Sequence, residues 1–126
     1  MILGIGVDIV HLPRITSLVT RRGRLPLAKR ILSLKELDEF NQRFPIEHLA
    51  IDQQVKYLGS RWCIKEAVYK ALYPIHKLEW KQVTVGKDQG KPILHVHNGK
   101  AYGIKRSHVS LSHDGEYAIS QVVLEG

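Results

Sequence analysis

The sequence predicts an α+β fold with an N-terminal strand, helices that include one long central helix, and antiparallel strands that end in a hairpin. Three observations support this prediction. The first ten residues alternate between branched apolar residues and mostly small ones, as in a strand. No proline interrupts the chain from about His48 to Tyr73, so this stretch can form one helix. Asp114-Gly115 separates two alternating runs, which is typical of a hairpin with a type I′ turn.

The composition is that of a single globular domain over residues 1–126, with 44% apolar and 25% charged residues. No apolar run approaches the ~20 residues that a membrane-spanning helix needs. The single cysteine excludes an internal disulfide and favours a reducing compartment. A formal charge of +7 favours an anionic partner, such as a nucleic acid, a phosphate-bearing small molecule or an acidic protein.

The predicted first strand has two different faces. One face is apolar and consists of Leu3, Ile5, Val7 and Ile9. The other face carries two small residues and a carboxylate, namely Gly4, Gly6 and Asp8. The glycines allow another backbone to approach the second face closely. A plain core strand with an incidental aspartate is the alternative. The features of a secretory signal peptide are missing, so we expect the chain to enter the fold at its first residues.

Residues 11–45 are predicted to be helical and basic. Gly23 divides this region. Ser33 and Glu36 have the spacing of a capping box that starts a further helix, and Pro45 ends it. Four arginines lie on or just after the first helix: Arg14, Arg21, Arg22 and Arg24. They are either solvated side chains or a docking surface for an acidic partner, and their pattern leaves both interpretations open.

The central helix is predicted to be apolar on two flanks, which indicates that it is largely buried. Between the flanks lie Gly59, Cys63, Glu66 and Lys70. An ordinary Glu66–Lys70 pair on a solvated face would contribute only ~0.2–0.5 kcal/mol. Charged side chains in a largely buried helix usually have partners or ligands. The small residues Gly59 and Cys63 predict a hollow beside these two charges.

The chain beyond the central helix alternates in the manner of strands. We expect a strand from Trp80 to Val85, a turn over residues 89–92, and a short strand from Ile93 to Val96. Asn98-Gly99 indicates another turn. With the closing hairpin, these strands form an antiparallel meander.

Several common motifs can be excluded. Gly4-x-Gly6 lacks the third glycine of a dinucleotide-binding loop. None of the seven histidines has the spacing of a structural zinc site. Ser112, His113 and Asp114 are adjacent in a predicted strand, so their side chains point in alternating directions and cannot form a hydrolase triad.

The remaining candidates for a site are Asp8, Glu66, the basic residues of the central helix and His113. Two carboxylates on separate elements, with Lys70 nearby, suit Mg²⁺ held between the protein and a substrate phosphate. Mg²⁺ retains several waters, so two protein ligands are enough.

Three blocks of sequence resemble the holo-acyl-carrier-protein synthase family, the small 4′-phosphopantetheinyl transferases. Gly4–Val10 is similar to the opening strand of that family, Arg61–Ala71 to its central Arg-Phe-x-x-Lys-Glu-Ala helix, and Ser110–Ala118 to its closing Ser-x-Ser-His hairpin. Arg30–Ser33 and Gly90–Pro92 match weaker signatures between them. The resemblance covers nearly the whole chain in the correct order, and it implies the 4′-phosphopantetheinyl transferase-like fold.

Two residues depart from the family pattern. Trp62 stands where phenylalanine is commoner, and Cys63 where alanine is usual. Both lie beside the acidic residues rather than among them. Trp62 followed by Lys65 and Glu66 is similar to eukaryotic, organellar members, which predicts a mitochondrial enzyme, with the cytoplasm as the alternative.

The resemblance implies a reaction and its cofactors. The enzyme would transfer the 4′-phosphopantetheine arm of coenzyme A to a serine of apo acyl carrier protein, releasing adenosine 3′,5′-bisphosphate, in fatty acid biosynthesis. Asp8 and Glu66 would hold Mg²⁺ against the pyrophosphate, and Lys70 would contact the same phosphates. Whether Glu66 or a water on the ion accepts the serine proton stays open.

The resemblance also implies binding residues and an assembly. Coenzyme A would be bound by Arg61, Lys65, Lys70, Lys91, Pro92 and His113. The acidic carrier would dock on Arg14, Arg21 and Arg24. The family pattern implies a homotrimer whose sites are shared between neighbouring copies, with no nucleic-acid or membrane partner.

Two other functions remain as alternatives. A small basic nucleic-acid-binding module would explain the charge and the arginines. It would leave Asp8 and Glu66 without a role, and its affinity would fall steeply with salt. A phosphatase or nucleotide hydrolase that uses the same Mg²⁺ site is the third hypothesis.

Overall fold

The structure is a computed structural model that describes residues 1–126. Its main elements are β1 (Ile2–His11), α1 (Leu12–Arg22), α2 (Arg24–Ile31), α3 (Leu34–Arg43), α4 (Ile51–Leu72), β2 (Val83–Asp88), β3 (Lys91–Val96), β4 (Arg106–Asp114) and β5 (Tyr117–Glu125). Short 3₁₀ helices occupy Trp80–Gln82 and Gly99–Tyr102. The predicted α+β order of strand, helices and antiparallel strands is confirmed.

The strands form two antiparallel sheets. One has three strands in the order β1-β5-β4, and the other is the β2-β3 hairpin. β1 and β5 pair over nearly their whole length, which places Asp8 opposite Ser120. The two ends of the chain therefore lie side by side in the sheet.

The glycine face of β1 lies directly against α4. A Cβ atom at Gly4 would overlap the carbonyl oxygen of Ala71, and one at Gly6 would overlap that of Ala67. This confirms that the two glycines allow a second backbone to approach. The close contact brings the side chain of Asp8, two residues further along the same face, onto the surface of α4.

The apolar face of β1 points outward, so the alternative of a plain core strand is wrong. Ile5, Val7 and Ile9 are 57%, 47% and 61% exposed, and Ile119 on the neighbouring β5 is 44% exposed. We call the surface of these four residues the apolar sheet face.

The helical boundaries follow the predicted signals closely. Gly23 separates α1 from α2 with a φ of 82°. The capping box of α3 is present, since the Ser33 hydroxyl accepts from the Glu36 N–H and the Ser33 N–H donates to the Glu36 carboxylate. The central helix begins at Ile51 rather than His48, because Ala50 has a left-handed backbone with a φ of 53°.

Two details of the C-terminal strands differ from the prediction. Residues 80–82 form a 3₁₀ helix instead of a strand, and β2 begins only at Val83. Lys91 belongs to β3 and not to the turn before it.

The closing hairpin is confirmed, but its turn is not type I′. Asp114 pairs with Tyr117, which leaves Gly115 and Glu116 as the two loop residues. Only Gly115 has a positive φ, at 57°. A positive φ at the first loop residue alone is the pattern of a type II′ turn, which also suits the twist of a hairpin.

The core has two parts, one on each flank of α4. The first lies between α4 and the three preceding helices and is centred on Ile15, Phe40 and Leu58. The second lies between α4 and the strands and includes Val68 and Val122. None of the helices combines the length and the apolar character needed to cross a membrane.

Candidate active site

Asp8, Glu66 and Lys70 come together where β1 crosses α4. The Lys70 ammonium donates to Asp8 Oδ1 at 2.9 Å and to the carbonyl oxygen of Val7 at 3.1 Å. Burial raises the pKa of Glu66, and the negative charge of Asp8 raises it further, against the opposing effect of Lys70 and Arg14. The structure therefore groups the three residues predicted for catalysis and places the two carboxylates close enough to repel each other.

The hollow predicted beside these residues is filled, so that prediction is wrong. The side chain of Leu12 occupies the space next to Gly59. Cys63 is buried, and its thiol donates to the carbonyl oxygen of Asp8 at 3.3 Å and contacts the Ser120 hydroxyl at 3.2 Å. Burial raises the pKa of Cys63 to about 11, so the thiol is neutral at physiological pH. The two small residues allow α1 and β1 to pack against α4.

The donor set at this position fits a hard cation such as Mg²⁺. Two carboxylates lie together, and no cluster of three or more histidine, cysteine, aspartate or glutamate ligands forms around them. Mg²⁺ is commonly held by one or two carboxylates and by substrate phosphates. A cation between Asp8 and Glu66 would also relieve the repulsion that raises the pKa of Glu66.

The second charged region of α4 surrounds Arg61. Its guanidinium lies 3.7 Å from the centroid of the Tyr57 ring, and its Nη1 atom donates to the Ser60 hydroxyl at 3.2 Å. The Nε atom of Arg61 is buried without a hydrogen-bond partner. The Tyr57 ring thus supports the guanidinium, which borders the space beside Arg61.

That space is a cleft of about 570 Å³ between α4, the β2-β3 hairpin and the end of β4. Three of the residues predicted to bind coenzyme A line it: Arg61, Pro92 and His113. Lys91 is exposed at the start of β3, between the cleft-lining residues Gly90 and Pro92. The cleft contains no acidic residue among those that line it, so it suits an anionic ligand.

Sequence reasoning missed several basic and polar residues of the cleft, namely Arg43, Lys56, Ser60 and Lys87. Helical spacing could have found some of them. Residues 53, 56, 57, 60 and 64 recur every three or four positions and share the face of α4 on which Arg61 lies. Arg43 and Lys87 come from other elements, and no local pattern places them there.

The prediction that Lys65 binds coenzyme A is wrong. The side chain of Lys65 is fully buried and forms a salt bridge with Glu36. Its ammonium also donates to the carbonyl oxygens of Ile31 at 2.9 Å and Trp80 at 3.1 Å. An ammonium has three N–H donors, so Lys65 has none left for a ligand.

The three arginines predicted to dock a partner separate into two groups. Arg14 and Arg21 are exposed on α1, and the guanidinium of Arg14 lies 5.7 Å from the centroid of the Trp62 ring. Arg24 is buried and donates to the carbonyl oxygen of Phe44 at 2.6 Å. The prediction for Arg24 is therefore wrong, because its guanidinium joins α2 to the end of α3 instead of facing a partner.

The carboxylate pair and the cleft lie on different sides of α4. Arg61 and Glu66 are five residues apart, which corresponds to about 140° around a helix. Neither Asp8, Glu66 nor Lys70 lines the cleft. Within one chain, the residues suited to a metal ion and those suited to an anion therefore face different surroundings.

Comparison with known proteins places these features in a family. Residues 4–122 match the 4′-phosphopantetheinyl transferase superfamily. The holo-[acyl-carrier-protein] synthase of Hydrogenovibrio crunogenus is 35% identical over 99% of this chain and 98% of its own length. That of Shouchella clausii is 36% identical over 99% of both chains.

Solved structures of such enzymes have the same fold. The holo-[acyl-carrier-protein] synthase of Neisseria meningitidis superposes with a TM-score of 0.83 at 32% identity, covering 100% of both chains. The Bacillus anthracis enzyme, in complex with CoA (3′,5′-ADP), gives a TM-score of 0.77 at 31% identity over 98% of this chain and 96% of its own. The chain therefore belongs to the 4′-phosphopantetheinyl transferase superfamily and, within it, to the holo-[acyl-carrier-protein] synthases.

Proposed function

We propose that this chain, as a single domain over residues 1–126, transfers the 4′-phosphopantetheine arm of coenzyme A to a serine of apo acyl carrier protein. The grouping of Asp8, Glu66 and Lys70 where β1 crosses α4 carries this proposal. In the reaction, the serine oxygen bonds to the phosphorus that carries pantetheine. The bond from that phosphorus to the adenosine bisphosphate breaks, and the serine proton passes to one of the two acceptors named above, Glu66 or a water.

The carboxylates of Asp8 and Glu66 hold Mg²⁺ in this proposal. The bound ion supplies positive charge against the pyrophosphate, where negative charge builds up on the leaving phosphate. Lys70 is half exposed and directs its ammonium to the same place, so it stabilises the same charge. The Cys63 thiol donates to the backbone carbonyl of Asp8, which joins β1 to α4 beside the carboxylate pair.

Coenzyme A occupies the cleft around Arg61. The guanidinium of Arg61 and the ring of His113 bind its phosphates, and Pro92 contacts the nucleotide with Lys91 close by. The absence of acidic residues from the cleft supports this assignment. The relatives from Bacillus anthracis and Helicobacter pylori were solved in complexes with CoA (3′,5′-ADP) and coenzyme A.

One complete site is formed by two copies of the chain. The carboxylates and the cleft face different sides of α4, so a single copy does not bring both to one ligand. The apolar sheet face is available for assembly, since exposed apolar surface of this kind marks an interaction site. A closed homotrimer joins the carboxylates of one copy to the cleft of the next and covers that face.

The acidic carrier docks on α1. Arg14 and Arg21 are exposed there, and Arg14 lies near enough to Glu66 to affect its pKa. A carrier bound to these arginines would therefore sit beside the carboxylate pair. Charge complementarity of this kind sets the docking orientation and speeds association.

The reaction serves fatty acid and lipid metabolism in this proposal, and it takes place in the cytoplasm. The relatives at about 35% identity come from bacteria. The expectation of a mitochondrial enzyme has no support beyond the similarity around Trp62.

The proposal is tested by mass spectrometry of the carrier. The chain is incubated with coenzyme A, Mg²⁺ and an apo acyl carrier protein, with a carrier whose acceptor serine is replaced by alanine as the control. We expect the carrier to gain one phosphopantetheine, with release of adenosine 3′,5′-bisphosphate, and the control to gain nothing. An unchanged carrier would contradict the proposal. Salt-sensitive binding of DNA or RNA in its place would favour the nucleic-acid-binding alternative.

A further inference from the structure

We propose that Glu36 is the positioning residue of the coenzyme cleft, where it holds β2 against α4 and fixes the direction of the Arg61 guanidinium. This inference rests on the proposed function, since it assumes that the cleft binds coenzyme A. Glu36 itself does not line the cleft and acts through residues that do.

The contacts of Glu36 extend well beyond its helix cap. Capping requires only that its Oε1 atom accept from the Ser33 N–H, which it does at 2.9 Å. The same carboxylate also accepts from the Lys65 ammonium at 2.5 Å and from the Val85 N–H at 3.0 Å. Glu36 therefore connects α3, α4 and β2 through one buried side chain.

Arg61 is supported by Glu36 in two ways. Its Nε atom lies 3.9 Å from Glu36 Oε2, which is an ionic contact without a hydrogen bond. Its guanidinium rests on the ring of Tyr57, whose hydroxyl donates to the backbone carbonyl of Glu36 at 3.2 Å. Both the charge beside Arg61 and the ring beneath it are thus held by one residue.

The opposite wall of the cleft depends on the same carboxylate. Val85, Gly86 and Lys87 of β2 line the cleft, and β2 belongs to a two-stranded sheet that is separate from the larger one. The bond from the Val85 N–H to Glu36 attaches this small sheet to the helices. Together with the bond from the Thr84 hydroxyl to the Ser33 hydroxyl at 2.8 Å, Glu36 holds β2 close to Arg61.

Lys65 explains why the Glu36 carboxylate beside Arg61 does not prevent the cleft from binding an anion. Its buried ammonium neutralises Glu36, so the positive charge of Arg61 remains available to a phosphate. The only other carboxylate at Arg61 is that of Glu39, which lies 4.0 Å from Nη2 and is largely solvated. Lys65 thus supports the affinity of the cleft without touching its ligand.

The test compares two variants that differ only in the Glu36 charge. Lys65→Met retains the carboxylate beside Arg61, whereas Glu36→Gln/Lys65→Met removes it and leaves no unpaired buried charge. We expect calorimetry with coenzyme A to give a dissociation constant about threefold above wild type for the first variant, because the unneutralised Glu36 carboxylate then competes for the charge of Arg61. For the second we expect a value roughly tenfold or more higher, because misplaced binding groups lose affinity steeply. Circular dichroism at a low temperature confirms that each variant is folded.

A thermodynamic cycle shows whether Glu36 acts through Arg61. If it does, the effect of Glu36→Gln/Lys65→Met on coenzyme binding is clearly smaller in the Arg61→Ala background, and the part that remains is carried by the contact with β2. Equal effects in both backgrounds would overturn the inference. Glu36→Asp is the second variant, since it keeps Lys65 paired but withdraws the carboxylate from Arg61 and β2; unchanged coenzyme affinity in this folded variant would overturn the inference as well.

The two proposals fail in different ways. A wild-type chain that does not bind coenzyme A contradicts the proposed function. A wild-type chain that binds it, together with a Glu36→Gln/Lys65→Met variant of equal affinity, leaves the proposed function in place and overturns the role of Glu36 alone.

Discussion

The two sides of α4 carry similar charged residues but use them in different ways. Lys65 is fully buried and spends its three N–H donors on Glu36 and two backbone carbonyls. Lys70 is 50% exposed and makes two bonds, both toward β1. An ammonium with three donors and two protein partners retains one donor for a ligand. Two lysines of the same helix thus differ in whether the protein itself already accepts all of their hydrogen bonds.

The largest effect is expected from removing the carboxylates at the exposed side. Glu66→Gln and Asp8→Asn keep the shape of each side chain but lose its charge, so Mg²⁺ would no longer be held. We expect transfer to fall on the order of 10³-fold, since a bound ion contributes several kcal/mol of charge stabilisation. Asp38→Asn, which removes an exposed carboxylate of α3, is the matched control and should transfer normally.

Carrier modification measured over a series of Mg²⁺ concentrations checks this prediction. Both variants should also lose their response to Mg²⁺. A folded Glu66→Gln or Asp8→Asn variant that transfers near the wild-type rate would show that the ion site is elsewhere.

The next effect separates Lys70 from Lys65. Lys70→Met should leave the melting temperature nearly unchanged and lower turnover on the order of 10²-fold, because a preorganised charge at the transferred phosphate is lost. Lys70→Arg should restore only part of the rate, since a planar guanidinium does not replace a compact ammonium. Lys65→Met should lower the free energy of unfolding by roughly 3–5 kcal/mol, and with it the melting temperature, because it breaks a buried ion pair.

Steady-state rates per folded molecule, with a thermal melt of each variant, decide this comparison. A Lys70→Met variant that melts early and turns over normally would show that Lys70 is a structural residue.

The arginines of the first two helices differ in the same way, since Arg14 and Arg21 are exposed and Arg24 is buried, and smaller effects are expected from changing them. Arg21→Glu, and likewise Arg14→Glu, should weaken carrier binding by about tenfold or more, since like charges repel across an interface. Coenzyme A affinity should stay the same for Arg21→Glu. Arg24→Gln should lower the melting temperature, because its buried contact with the Phe44 carbonyl is lost, and it should not change carrier affinity per folded molecule.

Calorimetry with the apo carrier and with coenzyme A distinguishes these cases. Equal losses of both affinities in Arg21→Glu would place that arginine at the coenzyme site.

Cys63 gives the smallest effect, which appears only at high pH. Burial raises the pKa of its thiol from 9.0 to about 11. The thiol therefore ionises first in the unfolded state, and the associated stability is complete below pH 9 and is lost as the pH rises through about 11. This contributes about 2–3 kcal/mol to the free energy of unfolding.

Chemical denaturation between these pH values, with Cys63→Ala as the comparison, measures this contribution. The wild-type chain should lose more stability than the variant as the pH rises. Parallel losses in the two proteins would mean that Cys63 ionises equally well in the folded state.

The sequence predicted the elements that depend on local signals. The capping box at Ser33, the break at Gly23 and the contact surface of Gly4 and Gly6 all follow from short-range geometry. The strand expected from Trp80 failed because alternation is also compatible with a 3₁₀ turn before Val83. The turn at Gly115 was misassigned by one residue, since pairing register depends on both strands.

The site was predicted in part, for a physical reason. Asp8, Glu66 and Lys70 belong to patterns with a clear face, and the structure groups them. Lys65 and Arg24 look like ligand-binding residues from their sequence, but their burial depends on Glu36 and Phe44, which are distant in the chain. The folded state alone shows which positive charges have already found a partner.

The central claim is that the two sides of α4 act together in one reaction, across neighbouring copies of the chain. The most direct test mixes two inactive variants, Glu66→Gln and Arg61→Ala, and allows their subunits to exchange before transfer to the carrier is measured. We predict that activity returns to about a quarter of the sites, because half of the neighbours supply intact carboxylates and half supply an intact cleft. A mixture that stays inactive after mass spectrometry has confirmed mixed oligomers would contradict the claim and place both sides in one chain.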